Sequence, residues 1–147
     1  MPGIEGINHI TLTVTDVERS REWYESVLGF RTLNVLEIGG YRMVVLGDPR
    51  SGTVIALDRK SGAEGDPFDE TRTGLDHLSF TVRDIDELRA WRAHLERLGV
   101  PHSPMAEDPF GLVLVFRDPD NIQLELFAPV RPGATTGGAV LEQPRDG

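Results

Sequence analysis

A twelve-residue stretch that occurs twice limits what this chain can fold into. GINHITLTVTDV runs from Gly6 to Val17, and GLDHLSFTVRDI runs from Gly74 to Ile85. The two superpose without a gap, so that His9 falls on His77, Thr13 on Thr81, Val14 on Val82 and Asp16 on Asp84. Further along, Arg21 falls on Arg89 and Trp23 on Trp91. A repeat of 68 residues, the step from His9 to His77, is too long for a solenoid unit, and the chain reads as a duplicated module.

Each copy alternates with period two, the pattern of a half-buried strand. Ile10, Leu12 and Val14 share one face while His9, Thr11 and Thr13 share the other; Leu78, Phe80 and Val82 likewise oppose His77, Ser79 and Thr81. The apolar face is expected to pack on the helix that follows, which leaves each histidine on the polar face. A lone histidine in such a place is most simply a hydrogen-bonded structural residue. Two equivalent histidines on equivalent strands point instead to a shared ligand.

The rest of each copy completes a βαβββ order. In the first, a strand over 7–14 precedes a helix capped by Asp16, with Val17, Ser20, Trp23, Val27 and Leu28 at helical spacing and Gly29 as its stop. Strands follow over 30–38, 41–46 and 53–58, with turns at Gly39-Gly40 and Asp48-Pro49. In the second, a strand over 74–82 precedes a helix capped by Asp84, with Ile85, Leu88, Trp91, Leu95 and Leu98 as its stripe and Gly99 as its stop. A weak strand over 100–106 holds Pro101 and Pro104 and belongs at an edge. Strands over 112–116 and 122–127 flank the turn Asp118-Pro119-Asp120-Asn121. The expected division is a first module over 1–58, a linker over 59–73 anchored by Phe68, a second module over 74–128 and a disordered tail over 129–147.

Composition narrows the function. A net charge of −9 argues against a nucleic-acid partner, which requires a basic face. With no cysteine there are no disulfides and no thiolate metal sites. No apolar run is long enough for a membrane span and the start MPGIEG has no signal-peptide core, so a cytoplasmic protein without membrane contact is expected.

Glu125 stands out in the last strand. Ile122, Leu124 and Leu126 form one face there, and Gln123, Glu125 and Phe127 form the other, the side on which His9 and His77 are expected. An ionised carboxylate among apolar neighbours needs a compensating cation. An arginine such as Arg42 or Arg117 is one candidate; beside two inward histidines, a divalent metal is the better one. Two histidines and one carboxylate on three strands compose a facial triad, which leaves open positions for substrate or water.

With these residues in place the chain resembles the vicinal oxygen chelate superfamily, which includes glyoxalase I, type I extradiol dioxygenases, fosfomycin-modifying transferases and bleomycin-resistance proteins. The duplicated βαβββ module, the histidine of each first strand and RDPDNIQLELF at the end of the second module carry the resemblance, from about Ile7 to Phe127. It implies an α+β fold in which the two modules form a cupped sheet. It also implies His9, His77 and Glu125 as ligands of a divalent metal ion (Fe, Mn, Zn, Ni or Co), with Glu125 the catalytic carboxylate. Glyoxalase I has a further carboxylate on the last strand of the first module; here that place falls to Ala56, or without a gap to Ile55, and neither binds metal. Tyr41, Met43, Phe110, Val113 and Phe127 are candidate walls of a substrate pocket. Two functions follow: a metal-dependent enzyme, dioxygenase-like or lyase/isomerase-like, whose small substrate chelates the metal through oxygen atoms, or a bleomycin-resistance-like protein that sequesters a small molecule without catalysis. A homodimer is expected, since the strand over 30–38 has no edge protection.

Overall fold

Both copies of the repeat end in an aspartate that starts a helix. In the computed structural model of the chain, residues 2–38, 40–60 and 67–130 are described, apart from the side chains of Ile38 and Tyr41. Residues 61–66 of the expected linker and the expected disordered tail from residue 131 onward lie outside the described residues. The chain divides into two compact units, Met1–Asp69 with Asp118–Ile122, and Glu70–Arg117 with Gln123–Gly147.

Unit 1 contains β1 (Ile10–Thr13), α1 (Val17–Leu28), β2 (Arg31–Ile38), β3 (Tyr41–Gly47) and β4 (Val54–Asp58). The sheet order is β1-β4-β3-β2, with β1 parallel to β4 and the other pairs antiparallel. The Asp16 carboxylate accepts from the Arg19 amide at the start of α1, and Gly29 ends the helix in the left-handed region at φ 76°. α1 packs on the face carrying Leu12, Val44, Leu46, Ile55 and Leu57, all buried. Its centre is Tyr24, with no exposed surface, rather than the half-buried Trp23 named by helical spacing. The Tyr24 ring meets Phe30 edge-on, and its hydroxyl donates to Asp118 at 3.2 Å.

Unit 2 contains β5 (Leu78–Thr81), α2 (Ile85–Leu98), β6 (Ala106–Asp108), β7 (Gly111–Arg117) and β8 (Gln123–Pro129), in the order β5-β8-β7-β6. Leu88 and Leu95 of α2 are fully buried, as are Leu114 and Leu124 of the sheet it packs against. The architecture is therefore α+β, two four-stranded mixed sheets of identical order with one helix each.

The ends of three strands differ from expectation. β1 and β5 begin at Ile10 and Leu78, whose parallel partners are Ile55 and Leu124. Both repeat histidines thus stand one residue ahead of a strand. β6 lies at 106–108 rather than 100–106, since Pro101 and Pro104 have no N–H to give; an isolated bridge from His102 to Phe116 is what the earlier residues manage. β6 does occupy a sheet edge.

The turn over 118–122 joins two strands of unit 2 yet is part of unit 1. Asp120, nearly buried, accepts from the Thr15 amide and hydroxyl, from Arg19 Nη2 and from Ser20 Oγ. Asp118 accepts from the amides of Asp120 and Ile122 as well as from Tyr24. Burial pushes its carboxyl up to about 6, against the pull of those bonds. Asn121, in the left-handed region at φ 66°, donates to the Phe68 carbonyl, and the Phe68 amide donates to the carbonyl of Asp120, so Phe68 does anchor the linker.

Candidate functional site

Sheet pairing decides which side chains share a face, because residues directly opposite one another lie on the same side. In unit 2 Ser79 lies opposite Glu125 and Thr81 opposite Phe127. Across the next pair Val115 lies opposite Glu125, Val113 opposite Phe127 and Arg117 opposite Gln123. The reverse face, with Leu78, Leu114, Phe116, Leu124 and Leu126, is the buried core. The first face is half-exposed, and His77, one residue ahead of β5, is half-buried.

Glu125 accepts a hydrogen bond from Ser79 Oγ at 2.6 Å. Among the described residues no lysine or arginine pairs with it. Arg42 is taken by Glu18 and Glu37 in unit 1. Arg117, on the same face as Glu125, turns its guanidinium to Glu70 and Gln123. Arg117 holds the Glu70 carboxyl down at about 2, so that pair stays ionised over any ordinary pH range. The carboxylate of Glu125 therefore has a neutral hydroxyl as partner where arginine was one of two candidates.

Each repeat histidine is held by the residue before it. His77 Nδ1 lies 2.6 Å from Asp76 Oδ1, and His9 Nδ1 lies 2.8 Å from Asn8 Oδ1. An oxygen at Nδ1 favours the tautomer with hydrogen on that nitrogen and a lone pair on Nε2, the arrangement of metal-binding histidines whose other nitrogen is tied back. Asn8 and Asp76 are equivalent in the repeat, and that coincidence was the available sequence signal for them. Imidazole nitrogen and a carboxylate lacking a cation are donor types that suit a divalent ion, His77 and Glu125 in unit 2 and His9 in unit 1. No group of three or more His, Asp or Glu gathers for a metal among the described residues of one chain.

Unit 1 settles where its counterpart of Glu125 falls. Thr11, equivalent to Ser79, pairs with Ala56, so Ala56 rather than Ile55 takes the place of Glu125. The next residue on that face, opposite Thr13, is Asp58. Its buried carboxylate is ion-paired with Lys60. Met43 lies opposite Asp58 and so on the same face. Of the other proposed pocket residues, Val113 and Phe127 are a directly opposed, half-buried pair in unit 2. Phe127 covers Gly111, where any side chain would strike its ring and the Ala128 carbonyl. Phe110 sits in the β6–β7 turn, 77% exposed. The side chain of Tyr41 lies outside the described residues.

Comparison with known proteins agrees with the fold. A family model, the Glyoxalase/Bleomycin resistance protein/Dioxygenase superfamily, matches residues 6–126. A solved domain of that description from Frankia sp. EAN1pec shares 37% identity at TM-score 0.81, covering 90% of this chain and 96% of that one. A candidate ring-cleaving dioxygenase, MhqA of Bacillus subtilis (strain 168), is 27% identical over 82% of this chain, which spans 39% of that protein's length. The fosfomycin resistance protein FosX of Listeria monocytogenes, solved with Mn(II) and a sulfate ion, shares the fold at TM-score 0.67 and 21% identity, over 87% of this chain and 93% of that one.

Proposed function

The chain belongs to the glyoxalase/bleomycin resistance protein/dioxygenase superfamily, and from that premise we propose that it is a divalent-metal-dependent enzyme acting on a small molecule that chelates the metal through oxygen atoms. The observation that carries the reading is Glu125, a half-exposed carboxylate with a serine hydroxyl and, among the described residues, no cation as its partner. His9, His77 and Glu125 would be the ligands. His9 would be supplied by the same chain or by a second copy. The Mn(II) bound by a relative of the same fold supports a metal of that class. A divalent ion in such a set would supply Lewis-acid polarisation of a chelated oxygen.

The protein's own residues would do the rest. Ser79 steers Glu125 by donating to Oε1, which leaves Oε2 for the ion or for a substrate proton. Val115 stands directly across from Glu125, and Val113 and Phe127 form the next pair on that face, suited to an apolar substrate body. Tyr41, Met43 and Phe110 are the further walls in this reading. We also propose that the protein is a homodimer: β2 is a sheet edge whose Leu33 and Val35 are 62% and 39% exposed.

Titrating metal-free protein with Mn(II) in a calorimeter tests the central point. Wild type should bind, and His77→Ala and Glu125→Gln should each bind at least about 10-fold more weakly. Equal binding by all three would refute the site. Binding of metal with no turnover across oxygen-chelating substrates would favour sequestration instead.

A further inference from the structure

Resting on the metal-ligand reading of Glu125, we propose that Phe127 is a specificity-determining residue: its ring, lying low across the sheet, receives a ring-sized apolar group that the substrate carries next to its chelating oxygens. Strand side chains ordinarily stand roughly perpendicular to their sheet. The Phe127 ring does not. Its Cζ lies 2.8 Å from the place a Cβ would take on Gly111, just above the backbone of β7. Gly111 is the diagonal neighbour of Phe127, because Phe127 pairs with Val113 and Gly111 with Pro129. A diagonal of about 7–8 Å is spanned by a phenyl group lying down, not by one standing up. The missing side chain of Gly111 is what permits that posture.

The direction of the lean matters. Glu125 pairs with Val115, on the other side of Val113 from Gly111, so the ring tip points away from the carboxylate. The hydrocarbon of Val113 and Val115, both half-buried, is thereby left beside Glu125 as a floor. Toward β5 the same face offers the exposed hydroxyl residues Ser79, opposite Glu125, and Thr81, opposite Phe127. The face thus has a hydroxyl side and a hydrocarbon side, with Glu125 and Phe127 in the row between them. Two residues along a strand cover about 7 Å, so a body that starts at Glu125 must be ring-sized to reach Phe127.

Unit 1 has no such floor. The place of Phe127 is taken there by Asp58, opposite Thr13, and that of Val113 by Met43. The Asp58 carboxylate is buried and ion-paired with Lys60. The preference for a ring therefore belongs to unit 2.

The test is calorimetry of the Mn(II)-loaded protein with benzohydroxamate and acetohydroxamate, which present the same chelating oxygens with and without a ring. Wild type should favour the phenyl probe by at least about 10-fold. Phe127→Ala should shrink that ratio about 5-fold. Val113→Thr keeps the shape and the strand preference while making the floor polar, and it should shrink the ratio as well, so the result does not hang on one variant folding. A wild type without preference, or a ratio unchanged in both variants, would overturn the proposal. A wild type that binds no Mn(II) would refute the metal reading instead, and the floor is then read without metal: benzohydroxamate at millimolar concentration should shift the Val113 and Val115 methyl resonances of metal-free protein, and acetohydroxamate should not. Methyl resonances that stay put with both probes would sink this inference too.

Discussion

At the scale of single residues the chain carries two acids in opposite circumstances. Glu125 is half-exposed with a hydroxyl for a partner, whereas Asp118 is buried among donors. If Glu125 holds a metal present at 100 times its dissociation constant, the ion adds roughly 2.7 kcal/mol to the fold. Thermal melts with metal and with excess chelator should therefore differ for wild type, and for Glu125→Gln by no more than about half as much. Asp118 works the other way. Its folded value of about 6 lies above the ordinary 3.8, so the native state binds this proton more tightly than the unfolded chain does. That contribution is complete below pH 3.8 and gone once pH has risen past about 6. Asparagine at 118 keeps Oδ1 for the amides of Asp120 and Ile122 and never ionises. Asp118→Asn should thus be more stable than wild type at pH 8, by up to about 3 kcal/mol, with the advantage shrinking toward pH 4. Denaturant melts at the two pH values would show it; a variant less stable at both would mean the charge is needed.

At the scale of elements, the repeat in the sequence made most of the architecture legible. Asp16, Gly29, Asp84 and Gly99 mark the ends of both helices because capping is a local matter of one side chain or one missing Cβ. What local signals could not supply is pairing. The choice of Ala56 over Ile55 depends on register. The pairing of Arg117 with Glu70 was hidden for the same reason, since it joins residues 47 apart in sequence. His77 and Glu125 could be placed on one side by alternation alone; Asp76 could be noticed only as the counterpart of Asn8. Register also yields a prediction. Ala56 is 3% exposed, so a carboxylate placed there by Ala56→Glu would be buried where Glu125 is not. In chelator it should cost on the order of 2–4 kcal/mol by denaturant melt, and a neutral result would show that this face is more open than its burial implies.

At the scale of the whole molecule, the proposed dimer gives a way to ask how the ligand set is assembled. His9→Ala and Glu125→Gln should each bind Mn(II) poorly alone. If His9 comes from a second copy, mixing the two variants and allowing subunit exchange should restore tight binding in a fraction of sites, because one mixed site contains neither substitution. Light scattering at tens of micromolar should give twice the 16.3 kDa chain mass. A monomer mass would remove the dimer, and with it any site shared between copies.

The turn over 118–122 has a further consequence for how the chain tolerates being cut. It belongs to unit 1 although it lies far beyond the linker in sequence, and its two acids are held by Thr15, Ser20, Arg19 and Tyr24. Unit 1 is thus built from both sides of any break made between Lys60 and Pro67. A protease site engineered there should give two fragments that travel as one species on gel filtration, and Asp120→Ala should let them part. The later fragment would then complete unit 1 through that turn.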